Sequence, residues 1–259
     1  MSTTDQEMTN LTELARTVAL ACRILAAQGC AREITGHVSA RIPGTDEMLV
    51  RCRHVDDPGV EFTTVDDVCR VHIDGTSADL PKGYKLPGEF AIHSELYRSR
   101  PDIGGVAHGH PRSALLCGLL DLEIEPFIGA YDPAAMDIAV QGIAIYPRAV
   151  LISTPELGRD MVGVMEGTDI CLLRGHGIVT AARDVVGATL RAIKLETIAE
   201  LVVASHAATG SGPPRLPQED IDDVHAFVDA TGSAASGSRW VWDFYVRLLG
   251  TAADVGGRG

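Results

Sequence analysis

The chain has 259 residues, 46% of them apolar, and a formal net charge of −13. That length supports one sizeable hydrophobic core, and no shift in composition divides it. The acidic balance disfavours nucleic acid and anionic membranes as partners, since both select a basic footprint. The six cysteines are scattered, with no Cys-x-x-Cys pair, which suits small buried hydrophobes in a reducing compartment better than a disulfide framework. The start, MSTTDQEMTN, is polar and does not read as a signal peptide, and no apolar run reaches membrane-spanning length. A cytoplasmic location is the expectation.

Residues 1–10 are expected to be disordered. Leu11 to Gln28 reads as an amphipathic helix, with Leu11, Leu14, Val18, Ala21, Cys22 and Leu25 at helical spacing, Asn10 or Thr12 as its cap and Gly29 as its stop. Thr35 to Arg41 reads as a turn and strand, and Met48 to Arg53 as a short strand. In the latter, Arg51 and Arg53 share one face, either as a solvated edge or as a clamp for a dianion. Glu61 to Asp74 is strand-like, Asp74-Gly75 is a turn signal, and Thr76 to Lys85 is a polar loop. Pro87 and Gly88 open a helix that carries Glu89 and ends near Arg100-Pro101-Asp102. A strand follows from Ile103, then a helix from Arg112 to about Leu120. Ile143 to Pro147 and Val150 to Ser153 are strand-like, and Thr154 starts a helix running to Met165. Ile170 to Leu173 has the continuous apolar run of a buried strand, and Ile178 to Thr180 resumes as strand. Val185 to Thr209 is the longest helical pattern. Gly210 to Pro217 is a break, and 211–259 is expected to be a helical extension whose aromatic stretch, Arg239 to Leu249, packs on its own subunit or a neighbour's.

The densest chemistry lies between Leu86 and Arg112, in LPGEFAIHSELYRSRPDIGGVAHGHPR. His108 and His110 are two apart, so on a strand both imidazoles leave the same face. Two nitrogens from one strand, joined by a third ligand from elsewhere, are a common start for a divalent metal site. Glu89 offers a carboxylate, although compensation of a helix dipole alone also selects a Glu there. His93 lies four residues on, shares that helix face and is a rival ligand. His176 stands in Leu-Leu-Arg-Gly-His-Gly, where flanking glycines admit a ligand close to the backbone. His37 follows Gly36 in a similar setting, and Tyr131 is a candidate proton donor or a packed tyrosine.

As a set, Pro-Gly-Glu, His-x-x-x-Tyr-x-x-Arg-Pro-Asp, His-Gly-His-Pro and Arg-Gly-His-Gly resemble the class II aldolase/adducin family over roughly residues 10 to 205. Thr35 to Arg41 matches that family's Gly-Asn-x-Ser-x-Arg element, with His37 in the Asn place and Ser39 in the Ser place. The resemblance implies a single α/β domain over 11–210, with a central, mostly antiparallel β-sheet flanked by helices. It also implies a homotetramer with the site at a subunit boundary, and a divalent metal that stabilises an enolate. By match of motif the metal ligands are His108, His110 and His176, with Glu89 as fourth ligand or as acid/base. Zinc, manganese, cobalt and iron all suit these donors.

One segment departs from the sugar-phosphate aldolases. Their Thr-Pro-Ser-Gly-like phosphate loop is replaced by Arg-Cys-Arg-His-Val-Asp-Asp-Pro-Gly, Arg51 to Gly59. The chain is thereby more similar to the family's decarboxylase branch, which acts on hydroxylated aromatic dicarboxylates such as dihydroxyphthalate. The expected function is non-oxidative loss of carbon dioxide from such a diacid. Glu89, His37 and Tyr131 are the catalytic candidates, and Arg51, Arg53 and Ser39 face the substrate. The alternatives are an aldolase or epimerase on a sugar-type substrate, an iron-dependent oxygenase, and a non-catalytic adducin-like interaction module.

Overall fold

The computed structural model describes residues 3–76, 80–231 and 233–257. Met1 and Ser2 of the expected loose start, Ser77 to Asp79 of the polar loop, and Arg258 and Gly259 of the extension lie outside the described residues. The expected fold class is observed. A seven-stranded sheet is built, in spatial order, from β4 (Val68–His72), β2 (Glu47–Arg51), β1 (His37–Arg41), β6 (Gly105–Gly109), β9 (Gly177–Ala182), β8 (Ile170–Leu173) and β7 (Ala144–Tyr146). Every pairing is antiparallel except β7 with β8 at one edge.

Strand alternation sorts side chains between two helical layers. Val38, Ala40, Ala107, Leu172 and Ile178 face one way. They pack with α1 (Thr3–Ala27), α3 (Arg112–Leu120) and α6 (Val185–Thr209) through Val18, Cys22, Leu25, Ala114, Cys117, Ala188, Leu195 and Ala199. Val106, Cys171, Leu173, Val179 and Ala181 face the other way, against α2 (Phe90–Ser99) and α5 (Pro155–Val164) through Ile92, Leu96, Tyr97 and Met161. His37, Ser39 and His108 have the parity of Val106 or its cross-strand partners, so the sheet hands them to the α2 side.

Several boundaries differ from the pattern reading. Helix α1 starts at Thr3, so residues 3–10 are its first turns rather than a loose tail, and Thr12 bonds back to the Met8 carbonyl instead of capping. Strand β2 stops at Arg51. The chain turns at Cys52, and β3 (Arg53–His54) pairs with β5 (Tyr84–Lys85) in a separate ribbon. Arg51 and Arg53 therefore do not share one strand face. Between Val60 and Asp67 the strand-like stretch is two 3-10 turns, the second closed by a Thr64–Asp67 capping box. Val150 to Ser153 is irregular, because its backbone serves Glu89 rather than a strand. α4 (Pro133–Gln141) is capped by Asp132, and α7 (Gln218–Thr231) and α8 (Ser233–Leu248) form the C-terminal extension. On α8, Val241, Trp242, Tyr245 and Val246 pack onto the main core, while Trp240, Phe244 and Leu248 stay exposed.

Strand β6 is gripped at its start. A Cβ on Gly105 would lie 2.3 Å from the Asp184 carbonyl oxygen and 2.5 Å from the Val185 nitrogen, where α6 begins. Both are backbone atoms and cannot step aside. Gly105→Ala is accordingly expected to destabilise the protein by about 2 kcal/mol or more, read as a lowered urea midpoint; an unchanged midpoint would show that this contact is loose.

Candidate metal centre

Four elements converge at the far end of β6. His108 is on the strand, completely buried, and its register partner across β1 is His37. His110 lies two residues on, just past the strand end, with its backbone N–H donating to the Cys30 carbonyl at 2.7 Å. His176 sits in the tight turn between β8 and β9, where Gly175 takes a left-handed φ of 63° and the His176 N–H returns to the Leu173 carbonyl. Glu89 is the residue immediately before α2, and its Oε1 accepts the Ile152 N–H at 3.0 Å. The aligned N-terminus of α2 and this amide both favour its ionised form.

One donor atom from each of Glu89, His108, His110 and His176 lies within 4.8 Å of all the others. His108 Nε2 is 3.1 Å from His110 Nε2 and 3.4 Å from Glu89 Oε2, and His176 Nε2 is 3.3 Å from Glu89 Oε1. These separations match the edge of about 3.4 Å of a tetrahedron with metal–ligand bonds of about 2.1 Å.

The donor chemistry fits a cation as well. His108 Nδ1 donates to the Ile178 carbonyl at 2.9 Å, which leaves a lone pair on Nε2 aimed into the cluster. Both ring nitrogens of His176 are buried: Nδ1 has no hydrogen-bond partner among the described residues, and Nε2 meets the Glu89 carboxylate at 3.3 Å, an under-satisfied state that native structures rarely tolerate without a ligand. Burial, with some repulsion from its neighbours His108 and His176, lowers the His110 pKa to about 4. Burial alone would raise that of Glu89, but its bonds to His108 and His176 outweigh this and hold it well below the usual carboxylate range. The lowered His110 and the ionised Glu89 carboxylate both suit a divalent ion, whose ligands must shed their protons to bind it. His110 and His176 are less deeply buried than Glu89 and His108.

Glycines make the convergence possible. A Cβ on Gly177 would lie 2.3 Å from the Gly109 carbonyl oxygen and 2.6 Å from the His110 ring. Side chains at this crossing would force the β6 and β9 ends apart and swing His110 outward.

Other expected site residues lie elsewhere. His93 is not in the cluster. It is completely buried, with Nε2 2.7 Å from His37 Nδ1 and Nδ1 2.6 Å from Ser39 Oγ. Ser39 is sealed from solvent and also touches Tyr97 at 2.9 Å, so it meets other side chains rather than a substrate. Arg51 is 2% exposed and committed internally, holding both Asp57 oxygens at 2.8 and 2.9 Å and Thr63 at 2.9 Å. A guanidinium paired in this way is not free to clamp a diacid. Arg53 is half-buried and donates to the Ile34 carbonyl at 3.1 Å. That bond ties β3 to the loop whose Cys30 end holds His110. Tyr131 is 75% exposed on the turn before α4, beside Asp132, which pairs with Lys194 of α6. The Ile152 amide, the Ile178 carbonyl and Asp57 escaped the sequence reading. The first two are backbone groups with no residue-type signal, and only the Asp56-Asp57 pair after Arg51 hinted at the third.

Residues 16–203 match the Class II Aldolase and Adducin N-terminal domain. The chain belongs to the class II aldolase and adducin family. It is 39% identical to the 3,4-dihydroxyphthalate decarboxylase of Arthrobacter keyseri, over 86% of this chain and 89% of that protein. It is 40% identical to the enzyme of the same name from Rhodococcus jostii, over 80% of this chain and 84% of that one. Among solved structures, an aldolase II superfamily protein from Pseudomonas syringae superposes with a TM-score of 0.79 at 23% identity, covering 94% of this chain and 95% of the other. As a class II aldolase family member with relatives of this kind over most of its length, the chain is an enzyme of the lyase class.

Two outcomes test the geometry. Asp57→Ala leaves the Arg51 guanidinium buried and unpaired, so the protein should lose about 3 kcal/mol of stability in urea; a loss near zero would mean that Arg51 is free to turn outward. The metal-free protein should also weaken in acid. Burial lowers His93 to about 3 and His110 to about 4 from the ordinary 6.5. Between those limits the unfolded chain binds protons that the folded one refuses, so stability drops as the pH is lowered through that range. Urea midpoints of chelated protein near neutrality and near about pH 5 read this; a higher midpoint in acid would contradict it.

Proposed function

We propose that this chain is a divalent-metal-dependent, non-oxidative decarboxylase of a hydroxylated aromatic ortho-dicarboxylate of the 3,4-dihydroxyphthalate type, giving a protocatechuate-like product. The convergence of His108, His110, His176 and Glu89 on one point carries the proposal. The decarboxylase names of the long relatives give the substrate class.

A divalent cation held by these four residues supplies Lewis-acid stabilisation of negative charge on the ring oxygen next to the bond that breaks, worth several kcal/mol. The remaining work falls to the protein. Glu89 is ionised and lies between two imidazoles, so it takes the proton of the ring hydroxyl and returns it to the adjacent carbon that bears the departing carboxylate. Carbon dioxide then leaves, its bonding electrons restore the aromatic ring as a phenolate, and a proton from solvent returns the oxygen to a hydroxyl. His37 is kept neutral by burial, with added repulsion from His93 and His108. It acts as a hydrogen-bond donor to the oxygen on which charge develops. Arg53, on β3 and tied to the Ile34 carbonyl, is the guanidinium assigned to the carboxylate that stays. Arg51 supports that wall through Asp57. Tyr131, exposed on the turn before α4, is assigned as a donor to a neighbouring subunit's site.

The proposal includes a homo-oligomer, a tetramer by family resemblance, and a cytoplasmic location. Trp240, Phe244 and Leu248 recur every four residues on the open face of α8 and offer an apolar contact to a neighbour. Among the described residues no helix is long and apolar enough to cross a membrane. An adducin-like, non-catalytic role does not call for four converging donors.

Zinc- or manganese-loaded protein incubated with 3,4-dihydroxyphthalate is expected to release carbon dioxide and protocatechuate in equal amounts. Chelation should abolish turnover, and Glu89→Gln should lower kcat about a hundred-fold or more. Failure on every aromatic diacid, together with cleavage of a sugar phosphate, would transfer the assignment to the aldolase reading.

A further inference from the structure

Beside the candidate metal centre a row of buried polar groups runs along the sheet: Tyr97 Oη to Ser39 Oγ at 2.9 Å, Ser39 Oγ to His93 Nδ1 at 2.6 Å, and His93 Nε2 to His37 Nδ1 at 2.7 Å. All four residues are at most 4% exposed. Tyr97 and His93 are one helical turn apart on α2, and His37 and Ser39 are two apart on β1. The two periodicities lay the groups alternately in one line.

The far end of this line decides its direction. The other groups around the Tyr97 phenol oxygen are backbone donors at Arg41 and Val106. Burial also pushes the phenol far above its ordinary pKa, so it keeps its hydrogen. The only acceptor in reach of that hydrogen among the described residues is Ser39 Oγ. A buried donor left unmade is costly, so Tyr97 donates to Ser39. Ser39 must then give its own hydrogen to His93 Nδ1. His93 is left with its hydrogen on Nε2, which donates to His37 Nδ1. His37 therefore carries its hydrogen on Nε2. That atom has no partner within the described chain and is not among the sealed, unpartnered atoms. The His37 ring centroid is 4.9 Å from that of His108.

We propose that Tyr97, Ser39 and His93 are positioning residues that fix the tautomer of His37, so that it presents an N–H, and not a lone pair, to a substrate oxygen at the metal centre. The inference rests on the decarboxylase reading only for the identity of that oxygen. In the opposite tautomer a lone pair would face the developing negative charge and oppose the reaction. The line also explains why His93 stands where a fourth imidazole ligand was plausible: both its nitrogens are occupied.

The test is nitrogen NMR of histidine-labelled, zinc-loaded protein, with His37 identified by loss of its signals in His37→Asn. His37 is expected to show a protonated Nε2 and an unprotonated Nδ1. Tyr97→Phe keeps the ring packed under Arg41 but removes the terminal donor, so the His37 tautomers should mix, and kcat on the diacid should fall about ten-fold with KM little changed. A hydrogen on Nδ1 of His37 in the wild type overturns the proposal, as does a Tyr97→Phe spectrum identical to the wild type. If the tautomer is as stated but no diacid is turned over, the substrate assignment fails and the positioning line stands.

Discussion

Nitrogen lone pairs and a carboxylate brought within a few ångströms of one another repel unless something positive lies between them. His108 and His110 face each other across 3.1 Å, and Glu89 lies 3.4 Å from one imidazole and 3.3 Å from a third. The backbone makes the conflict unavoidable. Ile178 occupies the outer nitrogen of His108, and Ile152 fixes one oxygen of Glu89. Folding thus spends stability to hold a donor set that a divalent cation repays. The rest of the molecule can be understood as the frame that keeps those donors in place.

That frame is tight where the site needs it. Gly105 abuts the start of α6 at one end of β6, and Gly109 abuts the Cys30 carbonyl at the other. The strand therefore cannot slide, and a slip of one residue would turn His108 into the opposite helical layer. Strands β1 and β9 flank β6 in fixed register and bring His37 and the Ile178 carbonyl to His108. Helix α2 covers this face and contributes at three levels: Glu89 before its first turn, His93 in its first turn and Tyr97 one turn on. One short amphipathic helix thereby supplies a candidate metal donor, the imidazole proposed to orient His37 and the closed end of a hydrogen-bond line.

The donor set was legible in the sequence because it rests on local rules. The two-residue spacing of His108 and His110 survives as strand geometry, and the glycines around His176 survive as a tight turn. The long apolar periodicities of α1 and α6 and the buried run of β8 were equally plain. What sequence could not show is tertiary. Arg51 and Arg53 have strand spacing, yet the chain bends at Cys52 because Asp57 and Thr63 draw Arg51 inward. His93 shares a helix face with Glu89, yet β1 brings His37 and Ser39 to both its nitrogens. Val150 to Ser153 looks like a strand, but its amide serves a carboxylate distant in sequence. In each case a polar partner from another element outbid a local pattern.

The central claim is that one cation joins these four side chains. Elemental analysis and X-ray absorption of the purified protein test it most directly. The account predicts about one zinc, manganese, cobalt or iron per chain, bound by three imidazoles and a carboxylate, with stoichiometry and imidazole count both reduced in His176→Ala. A protein that folds and turns over a substrate with no metal, or that keeps the same metal environment after His176→Ala, would contradict it.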